Sequence, residues 1–238
     1  MYQNPIRRYH LIDGAKEATG LVVIIDVFRA FSLECYLSAR GAGCIRPVGS
    51  VEDALSWRVR DPDAVLIGER RGIMLDGFDF GNSPSTVPEE AVRGKTVIHT
   101  TSAGTQGIVN AVHADEILTG ALVNAAAIAR YIEQTNPSSV SLVSMGKLGV
   151  KEAFEDELCA EYIESILLGK PLPSIRDSAH AMWHNAGAHF FDPNRPEFPT
   201  EDFWLCTDVD RFDFVLRVER DSLGFRCVTV GGASPREG

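Results

Sequence analysis

Residues 20–30 read Gly20-Leu21-Val22-Val23-Ile24-Ile25-Asp26-Val27-Phe28-Arg29-Ala30. From Leu21 to Ile25 the run is apolar without a break, and Asp26 ends it. A half-buried strand would alternate. A run with no polar face predicts a strand covered on both sides, as in a parallel sheet with helices on each face. Such sheets bind ligands at the carboxyl ends of their strands, which is where Asp26 stands. Arg29 follows at the start of a helix predicted to reach about Ala39, with Phe28, Phe31, Leu33, Tyr36 and Leu37 as its core positions. Two readings fit Asp26. It is a group at a reaction centre, or it is a helix N-cap, since Asp at a strand–helix junction accepts from orphan N–H groups.

Working outward, the same rhythm repeats. Strands are predicted at 44–48, 64–67, 95–99, 116–118 and 140–145. Helices are predicted from Ser50 or Glu52 through Trp57, at 106–113, from Asn124 to about Glu133, and at 154–168, with a short helical or turn segment at 88–93. Pro171 and Pro173 end the last of these helices, and the proline-rich stretch 190–199 is expected to be a loop over the surface. Residues 212–218 and 225–230 alternate like an antiparallel hairpin turned at 221–224. The fold class is therefore α/β, with a mixed, largely parallel sheet and an antiparallel C-terminal hairpin. Ala42, Ile45 and Ala54 align with Ala114, Ile117 and Ala126 at one offset, which is compatible with a βαβα duplication of 20–58 and 95–133 inside a single domain.

A second stretch carries chemistry. Residues 68–84 read G-E-R-R-G-I-M-L-D-G-F-D-F-G-N-S-P after a strand, placing Glu69, Arg70, Arg71, Asp76 and Asp79 beside four glycines. Glycine lets main-chain N–H groups approach a ligand, arginine forks onto phosphate or carboxylate, and carboxylates hold hard cations. One reading is a wall of a site for a small, multiply anionic substrate with Mg²⁺; the other is a solvated loop whose charges pair among themselves. Thr100-Thr101-Ser102-Ala103-Gly104-Thr105 follows another strand. Its hydroxyls and N–H groups form either an anion cradle or a simple cap and turn. Lys147 after the 140–145 strand is a further basic group, and Glu155 and Asp156 in the next helix either complement its dipole or complete a metal site. His99 reads as a core or interface histidine. His180 and His184 share a helical spacing but lack a metalloprotease pattern, so no zinc site is expected.

The 238 residues carry a net charge of −10, with 45% hydrophobic and 24% charged residues. That balance excludes nucleic acid and anionic membranes as partners, since both select basic surfaces. Five scattered cysteines with no C-x-x-C pair, no leader-like N-terminus and no membrane-length apolar run point to a cytoplasmic protein with reduced thiols.

Taken in order, Ile25-Asp26-Val27-x-Arg29-Ala30, Gly68-Glu69-Arg70, Gly77-Phe78-Asp79-x-Gly81-Asn82-Ser83-Pro84, Thr100-Thr101-x-x-Gly104-Thr105 and Glu155-Asp156-x-x-Cys159-Ala160 resemble the 2-phosphosulfolactate phosphatase (ComB-like) family. The resemblance implies a three-layer α/β/α fold, a homodimer, and Mg²⁺-dependent hydrolysis of 2-phospho-3-sulfolactate to 3-sulfolactate and phosphate, a step of coenzyme M synthesis. Phe31-Ser32-Leu33 and Ala103-Gly104-Thr105 stand where the family tends to have Thr-Ser-Thr and Asn-Gly-Thr. On this reading Asp26, Arg29, Glu69 and Arg70 are catalytic. Mg²⁺ ligands are drawn from Asp26, Glu69, Asp79 and Asp156. Arg71, Asn82, Ser83, Thr100, Thr101, Ser102, Gly104, Thr105, Asn124 and Lys147 bind substrate. Two alternatives remain at this level: a non-catalytic anion-binding protein, or a phosphatase for another 2-hydroxy-acid phosphate.

Overall fold

The 21–25 run forms the strand β2 (Gly20–Ile25), every residue of which is buried. Its side chains split by parity. Leu21, Val23 and Ile25 join one core cluster, and Val22 and Ile24 join another on the opposite face. Each such side chain contributes about 1.5–3 kcal/mol by leaving water. A computed structural model describes residues 1–170 and 172–232, so Pro171, expected to help end a helix, lies outside the described residues.

The described residues form a ten-stranded sheet. In chain order its strands are β1 (Ile6–His10), β2, β3 (Cys44–Pro47), β4 (Val65–Arg70), β5 (Ile73–Met74), β6 (Thr96–Thr100), β7 (Ala114–Gly120), β8 (Val140–Ser144), β9 (Phe214–Asp221) and β10 (Gly224–Gly231). Across the sheet they run β1-β8-β2-β7-β9-β10-β3-β6-β4-β5. The strands β1, β8, β2 and β7 are parallel neighbours, as are β3, β6 and β4. Between the two groups sits the β9–β10 hairpin, antiparallel to both.

Helices cover both faces, giving three layers. The helices are α1 (Leu11–Glu17), α2 (Ala30–Ala39), α3 (Val51–Arg60), α4 (Glu89–Val92), α5 (Gly104–Asn110), α6 (Ala125–Thr135), α7 (Phe154–Leu167), α8 (Ile175–His180) and α9 (Thr200–Cys206). On one face α6 and α7 pack over Leu21, Val23 and Ile25; on the other, α1, α2 and α5 pack over Val22 and Ile24. At the start of α3 Ser50 accepts the Asp53 N–H at 3.0 Å, the N-cap that its sequence position predicts.

Three expectations need correction. Glu69 and Arg70 belong to the end of β4, and Ile73–Met74 pairs back on it, so the glycine-rich stretch is partly strand rather than one open loop. Phe28 precedes α2 rather than packing within it, and its ring meets Phe190 edge-on at 5.1 Å. The 190–199 stretch is irregular from 192 on, as expected, but it is only partly a surface loop: Phe190 is almost fully buried, Phe191 and Phe198 pack against the core, and Phe198 presses on Gly72 beyond β4. No helix among the described residues is long and apolar enough to cross a membrane.

Candidate active site

The carboxyl ends of β2, β4, β6 and β8, the first turn of α7 and the 189–198 segment enclose one cleft of ≈ 230 Å³. Within each parallel group the strands end together. The three antiparallel pairings across the hairpin set the two groups in opposite senses, yet the carboxyl ends of both line this cleft, so residues far apart in sequence meet there. Of the residues singled out from sequence, Asp26, Arg29, Glu69, Arg71, Asn82, Ser102, Lys147 and Asp156 line it.

The acidic side is buried. Asp26 accepts the Ala30 N–H on Oδ1 at 3.3 Å, but the N-cap of α2 is Arg29 rather than Asp26, whose side chain lines the cleft. Burial raises its pKa to about 7, the Glu69 and Glu155 carboxylates push the same way, and the Ala30 and Gly104 N–H groups oppose them. Gly104 is required here: a Cβ would lie 2.9 Å from Asp26 Oδ2 and from Ala30 Cβ. Asp156 accepts from Val27 N at 2.8 Å and from Gly146 N at 2.7 Å, fastening the β2 and β8 loops together. Its pKa stands well above the usual carboxylate range through burial, then through Asp26 and Glu155. Glu69 likewise uses both oxygens on the backbone, taking Ser102 N at 2.7 Å and Gly72 N at 2.6 Å. Among the described residues the Glu155 carboxylate has its own backbone N–H as partner; burial raises its pKa, while that N–H and Lys147 oppose the rise. It is therefore the acidic group with the most capacity left for a ligand. Sequence reasoning weighed Glu155 but assigned the metal to Asp156, because adjacent positions in one helical turn do not reveal which carboxylate the backbone consumes.

Cationic and aromatic groups line the same cleft. His189 lies where Lys147, Arg195 and Arg29 converge; burial and then these cations depress its pKa to about 4, so the ring is neutral at pH 7. Phe198 lies between two guanidinium groups, with Arg29 at 4.6 Å and Arg195 at 4.4 Å from its ring centre. It also presses on Gly72, whose φ is +83° and where a Cβ would lie 2.2 Å from Phe198 Cζ. His189, Arg195 and Phe198 escaped the sequence reading. The cluster Phe190, Phe191 and Phe198 in a supposedly exposed stretch was the available signal.

Several sequence-level assignments fall outside the cleft, each for a visible reason. Asp79 is half-exposed and pairs with Arg58 at 2.8 Å while accepting the Leu66 N–H, so it does not join the other carboxylates. Arg70 turns away, donating to the Glu69 carbonyl and to Thr100 Oγ1. Thr101 and Thr105 cap each other's backbone N–H groups, so the hydroxyl-rich stretch is closed on itself. Ser83 donates to Asp202 at 3.0 Å. Asn124 is fully buried and accepts the Ala121 N–H within a turn. Arg29 lines the cleft but is committed to Asp202, Glu197 O and Gly72 O. Among the described residues no group of three or more His, Cys, Asp or Glu side chains forms a ready metal cage. His180 and His184 stack instead on Trp204 and Trp183.

A family model described as 2-phosphosulpholactate phosphatase matches residues 7–221, which include every strand end that lines the cleft. The chain belongs to that family. Among the family's curated relatives, a Bacillus subtilis protein named "Probable 2-phosphosulfolactate phosphatase" is 30% identical over 220 residues, covering 91% of this chain and 95% of that protein. One of the same name from Caldanaerobacter subterraneus is 31% identical over 238 aligned residues, covering 92% and 96%. A Clostridium acetobutylicum relative, again so named, reaches 39% over 163 residues and 67% of each chain. Membership of the 2-phosphosulpholactate phosphatase family makes this chain a phosphoric monoester hydrolase.

Proposed function

We propose that the protein hydrolyses 2-phospho-3-sulfolactate, or a close 2-phospho-hydroxy acid, with the help of Mg²⁺. The observation that carries this is what the cleft gathers: the buried carboxylates Asp26 and Glu155 share it with Lys147, Arg71 and Arg195. A substrate with several anionic groups needs the cations, and its phosphoryl centre needs a proton acceptor and a divalent ion beside it.

The carboxylate wall fits a cation. Burial, and then repulsion from Glu69 and Glu155, already raise Asp26 to about 7, a strain that positive charge would relieve. Mg²⁺ commonly uses only one or two carboxylates, completing its shell with water and phosphate oxygens. Glu155 would hold it, with Asp156 beside it. Bound there, the ion would neutralise charge on the phosphoryl oxygens.

The chain's own residues do the rest. Asp26, ionised beside the bound cation, takes the proton from the attacking water as the water oxygen bonds to phosphorus and the ester P–O bond breaks, and that proton passes on to the leaving alkoxide. Lys147, Arg71 and Arg195 hold the substrate's remaining anions. Glu69 and Asp156 fix the loops that present these groups. Phosphate-monoester hydrolysis is among the slowest uncatalysed reactions, so positioning and charge neutralisation must supply most of the acceleration.

The test is phosphate release from 2-phospho-3-sulfolactate by the purified protein, with and without Mg²⁺. Turnover should cease with a chelator, return with Mg²⁺, and fall by orders of magnitude in Asp26→Asn. No release from this ester, with release from 2-phospholactate, would reassign the substrate. Full activity in chelator would remove the metal.

A further inference from the structure

Behind the cleft lies a polar chain that the mechanism above does not use. Asn82 lines the cleft yet is only 5% exposed. Its Oδ1 lies 3.2 Å from His99 Nε2. On the other side of the ring, His99 Nδ1 lies 2.8 Å from Glu34 Oε1, and both side chains are completely buried. The Cys227 thiol donates weakly to Glu34 Oε2 at 3.5 Å.

Burying an imidazole and a carboxylate costs several kcal/mol per charge unless each is paired, and two apolar side chains would fill the space at no such cost. Among the described residues the arrangement ends at the Cys227 thiol on one side and, toward the cleft, at the Asn82 amide. Asn82 Oδ1 faces the ring, so Nε2 must carry a proton and donate it. The amide's other end, Nδ2, is bonded to no protein group among the described residues and is not sealed in the core, so it opens on the cleft. Turned the other way, the amide would show the cleft a carbonyl, which an anionic ester would repel.

We propose that Glu34 and His99 are positioning residues: together they lock the Asn82 amide so that its NH₂ group donates to the bound phosphate ester. This rests on reading the cleft as a phosphate-ester site. The proton between His99 Nδ1 and Glu34 makes their bond charge-assisted, stiffening the chain from α2 through β6 to Asn82.

Two measurements test this. In the wild-type protein, ¹⁵N NMR of His99 should show a protonated Nε2. An unprotonated Nε2 overturns the proposal, because the amide would then have to donate to the ring and present its oxygen. In kinetics, His99→Leu should lower kcat/KM roughly tenfold, the worth of one hydrogen bond to a charged group. His99→Gln, whose amide can still donate near the Nε2 position, should recover most of that loss. Asn82→Ala should lose as much as His99→Leu, and the double variant should lose no more than either single one. A folded His99→Leu variant with wild-type kcat/KM, or full additivity, overturns it. Should His99→Leu not fold, the NMR result decides alone. If the wild-type protein releases no phosphate from any ester, the parent reading fails, while the NMR result still reports the amide's orientation.

Discussion

Arg29 and Asp202 form an ion pair at 2.8 Å with 3% and 0% of their side chains exposed. Asp202 also accepts from Ser83 Oγ and Ser85 N, so one carboxylate joins the start of α2, α9 and the end of the glycine-rich stretch. A pair this deep is held by partnership: removing one member strands a charge and typically costs roughly 3–5 kcal/mol. Asp202→Asn should therefore lower the urea midpoint strongly, and Arg29→Met combined with Asp202→Leu should recover part of the loss. An unchanged midpoint with a raised KM would instead make Arg29 a substrate ligand.

Asp26 links activity and stability with opposite signs. Its pKa is about 7 in the folded, metal-free protein, against about 3.9 for an unfolded aspartate. Between those values the folded state binds more protons, so stability falls as pH rises from about 4 to about 7 and stays low above. Asp26→Asn should thus raise the melting temperature at pH 8 by several degrees, change it little at pH 4, and abolish turnover. Equal melting temperatures at pH 8 would show that the carboxylate is not strained.

Asp79 and Glu155 separate sequence-level from structural expectation. Asp79 forms a partly exposed pair with Arg58, of a kind worth under about 1 kcal/mol. Asp79→Asn should leave kcat and the Mg²⁺ concentration for half-activation within about twofold, the scatter expected of a remote surface change. Glu155→Gln should raise the Mg²⁺ requirement by about 10-fold or more, as loss of a metal-orienting group does. The reverse pattern would return Asp79 to the metal site.

The regular elements were legible because burial on two faces leaves its mark in the chain. The 21–25 and 140–145 runs are apolar without alternation, and the hairpin alternates. β1 and α1 were missed because Ile6–His10 is an edge strand carrying Arg7, Arg8 and His10, with only a partial apolar face. At the site, strand-end position singled out Asp26, Glu69 and Lys147, and helix-start position Asp156, all of which line the cleft. What no sequence pattern discloses is which polar group a neighbour consumes. Asp79 has Arg58 and Arg29 has Asp202, contacts whose separation only the fold closes, and Thr101 has Thr105 four residues on. The 189–198 wall was hidden for the converse reason: its prolines and charged residues suggested solvent, while Phe190 and Phe198 pack inward.

The central place of the β9–β10 hairpin has a consequence for biosynthesis. Asp26 rides on the β1-β8-β2-β7 half of the sheet and Glu69 on the β3-β6-β4-β5 half, and only the hairpin joins these halves edge to edge. It follows every other strand in the chain. On a translating ribosome the β7 and β3 margins therefore stay open until residues beyond 214 emerge, a template for aberrant pairing that nascent-chain chaperones would have to shield.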